Sequence, residues 1–138
     1  MAHAGITCVL LIMIFMVHTH IEPWVSCKPI SDVFNEIDRS DTPILTSKFY
    51  VRGVRYYTDR PVAVIDIGGK GFWSPHPIPF LNADHMVIDF LNKRPVTYAI
   101  LKEGNVEDVE RMLANRPFTI EHLEDIGGKY ILRISKKM

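Results

Sequence analysis

Two stretches hold the residue types from which chemistry is usually built. One is EPWVSCKPI at 22–30, with the thiol of Cys27; the other is DIGGKG at 66–71, with the carboxyl of Asp66 ahead of a glycine-rich loop. A catalytic thiol needs a lowered pKa and a paired histidine. No base neighbours Cys27, so it is not read as a nucleophile. DIGGKG could present backbone N–H groups to a phosphate, but the G-x-x-x-x-G-K-[ST] spacing is missing and no helix signal follows. It reads as a loop after a strand. Asp66 also stands where an aspartic protease has D-[ST]-G, but the hydroxyl residue and a second copy are lacking, and that chemistry needs two carboxylates sharing one site. The six histidines show no ligand spacing: His18 and His20 lie beside the apolar N-terminus, and His76, His85 and His122 are scattered. Zinc needs three or four converging ligands. These residues predict a non-enzymatic chain with no catalytic residues, no metal and no cofactor.

The aromatic residues point to binding instead. Phe49, Tyr50, Tyr56, Tyr57, Phe72 and Trp73 are close in sequence. A half-buried strand turns half its side chains inward, which accounts for several of them. Phe72 and Trp73 fall in the Gly/Pro-rich GGKGFWSPHPIPF and are harder to place in a core. With Tyr56 and Tyr57 they are the candidate partner-binding residues, since tyrosine and tryptophan dominate interface hot spots. Sixteen basic and sixteen acidic residues balance without forming blocks. No nucleic-acid partner is therefore expected, because that needs clustered Lys and Arg.

At the N-terminus, Ile6 to Val17 (ITCVLLIMIFMV) is apolar and uncharged. A bilayer span takes about twenty such residues, so the run suits the core of an export signal, with an uncleaved membrane anchor as the alternative. Residues 1–19 are assigned to the signal, although cleavage as late as Cys27 stays open and MAHAG lacks the usual Lys or Arg. The mature chain would be secreted or in the endoplasmic reticulum lumen, with no stable membrane insertion. Cys8 would leave with the signal. Cys27 would remain as an odd thiol with no partner in its own chain, which points to intermolecular pairing or a free thiol. No Asn-x-Ser/Thr sequon occurs.

Residues 20–46, polar and turn-rich, are expected to form an extended arm, and 47–138 a single β-rich domain. KFYVRGVRYY and PVAVIDI read as two strands of a hairpin turning at TDR. DHMVIDFL fits helix and strand equally, and PVTYAIL reads as a strand. Asn105 is an N-cap candidate for a helix over VEDVERMLA, and FTIEHL and KYILRI pair across EDIGG.

The stretch TPILTSKFYVRGVRYYTDRPVAVI resembles the immunoglobulin-like accessory proteins encoded by open reading frame eight of SARS-related coronaviruses. Ser47, Lys48, Phe49, Tyr50, Val51 and Arg52 match that family's S-K-aromatic-Tyr-aliphatic-Arg strand. RPVTYAI, and RPFTIEH with ILRIS, match later strands in the same order. The family's intradomain cysteines are missing. The resemblance implies a mainly β fold, an immunoglobulin-like antiparallel sandwich with one inserted helix; an α+β antiparallel sheet with a helix on one face is the alternative. It also implies a viral accessory protein that binds host secretory-pathway or cell-surface proteins and modulates immune signalling or antigen presentation. Cys27 matches the family's N-terminal cysteine, implying a homodimer through that thiol. A membrane-anchored accessory protein and a small secreted enzyme are the rival expectations.

Overall fold

The computed structural model describes residues 2–71 and 74–137. Its centre is one mixed six-stranded sheet in the order β3-β2-β1-β4-β6-β5. The strands are β1 (Ile44–Ser47), β2 (Val62–Ile65), β3 (Phe80–Leu81), β4 (Val96–Lys102), β5 (Phe118–Ile126) and β6 (Lys129–Lys136). β3, β2, β1 and β4 run parallel, while β6 lies antiparallel between β4 and β5. Five helices accompany them: α1 (Ala2–Val25), α2 (Lys28–Ile37), α3 (Val51–Thr58), α4 (Asp84–Asn92) and α5 (Glu103–Leu113).

Strand periodicity builds three layers. Ile44, Val62, Val64, Ile100 and Ile131 point to one face, where Ile30 and Phe34 of α2 and Val51 and Val54 of α3 cover them. Leu45, Ala63, Ile65, Ala99, Leu101, Leu132 and Ile134 point to the other, against α4 and α5. Helices on both faces of a largely parallel sheet make a doubly wound arrangement. The chain winds outward from β1 through β2 to β3, then crosses back to β4 on the other side of β1.

This overturns the expected immunoglobulin-like sandwich, and the antiparallel alternative with it. The error lies in residues 28–65. KPISDVFNEI, placed in the extended arm, is α2. KFYVRGVRYY, expected as a strand, is a turn followed by α3. Period two leaves an arginine on each face of that run, Arg52 on one and Arg55 on the other. Period 3.6 instead gathers Val51, Val54 and Thr58 on one buried side. The parallel strands ILTS and VAVI are buried at every position, so they show no alternation to read. DHMVIDFL resolves to helix, burying Val87, Ile88, Phe90 and Leu91. The expected strand at β4, the helix at α5 and the C-terminal hairpin are present, the last turning at Gly127 and Gly128, both with positive φ.

Candidate functional site

In an open doubly wound sheet, ligands bind beyond the carboxyl ends of the strands, at the point where strand order reverses. Here that point lies between β1 and β4. Ser47, the last residue of β1, is fully buried; its hydroxyl donates to Asn105 Oδ1 at 2.7 Å and accepts the Lys102 backbone N–H at 2.9 Å. Asn105 Nδ2 reaches Asp108 Oδ2 at 3.4 Å. Asn105 is therefore a buried residue of the first turn of α5 that ties the helix to β1. The N-cap role expected of it falls to Lys102.

Beside this tie the strand ends open into a crevice of about 440 Å³ lined by Lys48, Phe49, Val51, Arg52 and Asp66. Lys48 Nζ donates to Asp66 Oδ2 at 3.2 Å and to the Lys70 carbonyl at 2.9 Å, and stands 5.7 Å above the Phe80 ring. Asp66 follows β2 directly, and its carbonyl accepts the Gly69 N–H at 2.9 Å. A side chain at Gly69 would collide with the Asp66 carboxylate, so the glycine there permits a close approach. DIGGKG is thus a loop after a strand that folds back on its own aspartate. A larger cavity, about 680 Å³, lies at the opposite edge among Pro61, Pro77, Met86 and Phe90. The smaller one is the candidate site, because it sits at the carboxyl ends of β1 and β2 and its carboxylate and ammonium are hydrogen-bonded to each other.

The sequence-predicted residues are not gathered in this crevice. Cys27 caps α2 inside the fold, its sulfur 3.9 Å from the Tyr50 carbonyl and packed on Gly53. Burial pushes the thiol pKa up, and the nearby Lys129 ammonium only partly offsets this. Tyr56 and Tyr57 lie on α3, edge to face at 5.0 Å, with Tyr56 79% exposed. Phe72 and Trp73 fall outside the described residues. His122 Nε2 meets Glu110 Oε1 at 2.9 Å on the exposed surface, and among the described residues no three metal-ligating side chains converge.

Sequence reasoning passed over Ser47 and Lys48 as site residues. The available signal was an apolar run, PILTS, ending in a hydroxyl and followed about twenty residues later by an acid closing a second apolar run.

No family model matches this chain, and no curated protein matches it. Among solved structures it is similar to the ribosomal protein L11 methylase of Lactobacillus delbrueckii subsp. bulgaricus, with 11% identity over 78% of this chain and 77% of that one. The TM-score is 0.37, too low to bear on fold or chemistry.

Proposed function

We propose that this chain binds a nucleoside-containing small molecule in the crevice at the carboxyl ends of β1 and β2, and that it enters the secretory pathway on its apolar N-terminal segment. The observation that carries the reading is the position of Asp66. An acid closing the second strand of such a sheet, about twenty residues beyond the first strand, is placed to accept the hydroxyls of a ribose. Lys48 donates to the same carboxylate, and its flexible stem can turn the ammonium to a ligand. Phe49 and Val51 supply apolar wall.

The first strand-to-helix turn, SKFYVRG, lacks the glycine fingerprint that cradles a pyrophosphate, so the ligand is a nucleoside without that group. Among the described residues, neither a nucleophile with its base nor a pair of carboxylates lines the crevice. This reading rests on the geometry of the strand ends and on general properties of the fold class.

The test is calorimetric titration of the full chain with adenosine, guanosine, cytidine and uridine, and with the 2′,3′-dideoxy form of whichever binds. A hydrogen bond to a charged group is worth about 1.5–3 kcal/mol, so the dideoxy form or Asp66→Asn should weaken binding by about ten- to a hundredfold. No binding by any of the four, or equal binding by Asp66→Asn, overturns the proposal.

A second reading keeps a protein partner. The exposed Tyr56, edge to face with Tyr57, shares α3 with the exposed Arg52 and Arg55, and tyrosine and arginine are the residues that anchor interfaces. A host-directed accessory role would use this surface, although the sandwich fold that the family resemblance implied is not the one this chain adopts.

A further inference from the structure

We propose that the carboxyl edge of the sheet lies against the headgroup layer of a phospholipid bilayer, with α1 retained as the anchor that passes into it. The inference stands independently of the nucleoside reading, because it rests on where α1 leaves the domain.

Ile6–Val25 is a 20-residue, largely apolar helical segment, exposed from Ile6 through Ile21 and partly covered by the domain only at Glu22 and Pro23. About twenty residues suffice to cross a bilayer. Its carboxyl end is clamped to the sheet. Lys129 opens β6, opposite Lys102 at the end of β4, and is 1% exposed. Its ammonium donates to the carbonyls of Pro23 at 2.7 Å, Trp24 at 3.1 Å and Gly127 at 3.4 Å. A cation there answers both the unpaired carbonyls of the last helical turn and the negative end of the helix dipole. A side chain at Gly127 would collide with the Pro23 carbonyl, so the hairpin turn touches the helix end directly. Cleavage after Cys27 would remove both helix carbonyls and leave Lys129 buried without them. Cleavage after Thr19 would cut within the helix.

The same edge exposes large aromatic rings. Trp24 is 69% exposed and borders Gly128. Phe49, in the turn after β1, is 80% exposed with the Lys102 ammonium 5.5 Å from its ring. From Trp24 through Lys129 and Lys102 to Phe49, each residue contacts or pairs with the next. The indole of Trp24, with an apolar body and an N–H, suits the bilayer interface beside an apolar helix end, and the wholly apolar ring of Phe49 gains by leaving water there. The charges there are mixed, Lys48, Lys70 and Lys102 against Asp66 and Glu103, so the partner is a headgroup layer in general and not an anionic surface in particular. The consequence is geometric: the crevice at Lys48 and Asp66 opens toward the membrane, and whatever it receives arrives at the lipid surface.

The experiment uses the full chain made on secretory-pathway membranes. The expected product keeps its N-terminal mass and stays in the membrane pellet after alkaline carbonate extraction. Reconstituted in phosphatidylcholine vesicles containing brominated lipid, Phe49→Trp adds tryptophan fluorescence over wild type that is quenched several-fold more than that added by Lys93→Trp. Lys93 caps α4 at the opposite edge and is exposed, as is Phe49, so neither substitution disturbs the core. A soluble product beginning after Thr19 overturns the proposal, as does equal quenching at the two positions.

Discussion

Among the described residues, a buried cation at each edge of the sheet ties down a neighbouring segment, and the two are built differently. At the amino edge Arg60, 6% exposed, has a counter-charge: Nη2 donates to Asp38 Oδ2 and to the Thr42 carbonyl, each at 2.8 Å, and Nη1 to the Asp38 carbonyl at 3.4 Å, with Phe34 under its guanidinium at 4.9 Å. At the carboxyl edge no carboxylate pairs with Lys129 among the described residues; its ammonium meets the carbonyls of Pro23 and Trp24 and the Tyr50 ring at 5.4 Å, with the Cys27 thiol nearby. The planar fork of arginine spans a loop and holds several acceptors at once, whereas a lysine supplies a point charge suited to a helix end. Arg60 therefore secures the connection from α2 to β1 and so the sheet itself. Lys129 secures an appendage.

The largest expected effect comes from breaking the paired site. Arg60→Ala leaves Asp38 without its partner and should cost about 3–5 kcal/mol in chemical denaturation. Arg60→Lys keeps the charge but loses the fork, and should recover only part of that. Lys129→Met should cost less, about 1–3 kcal/mol, because the freed carbonyls lie at a helix end near solvent. Its signature should be local: faster proteolysis between residues 23 and 28 with an unchanged sheet. If Lys129→Met destabilised the whole domain as much as Arg60→Ala, the contrast between the edges would be wrong.

The smallest effects are those of pH, and they carry opposite signs. Burial works to raise the Asp38 pKa, but hydrogen bonds from Ser40 and Arg60 outweigh it and hold the carboxyl below the usual range. Its contribution is complete above about pH 4 and is lost as pH falls through the lowered value. Melting temperature should drop in acid, and Asp38→Asn should flatten that drop. At the other edge burial lowers the Lys129 pKa, so stability from this group rises with pH toward about 10.4, where the unfolded lysine titrates. Cys27, raised by burial, acts in reverse: its contribution is present below about pH 8.5 and is lost as pH rises through the raised value. Cys27→Ser should therefore make the alkaline decline shallower, and Lys129→Met should make it steeper. The same Cys27→Ser chain tests the covalent dimer on a non-reducing gel, since a disulfide there requires the start of α2 to open.

Legibility followed how each element is exposed. The hairpin of β5 and β6 and the helix α5 each keep one side in water, so Thr119, Glu121 and Glu107 alternate or recur with apolar residues at a readable period. β1 and β2 have no wet side. Four fully buried residues carry no period, and a short helix of arginines, tyrosines and valines beside them passes for a strand. The site shared that fate because its members sit at the ends of those strands. Asp66 was noticed only for motifs it does not complete.

By itself the sequence determined an apolar N-terminal segment, a charge-balanced chain with a core of its own, a lone thiol after the segment and a hairpin at the C-terminus. Only the tertiary structure decided that β1 lies at the middle of the sheet, that Ser47 meets Asn105 across 58 positions, and that Lys129 closes on Pro23 across 106. The reason is physical. Periodicity reports which side of an element meets water, a local property; the order of strands depends on how buried faces pack on one another. Cys27 and Lys129 take their environments from that packing.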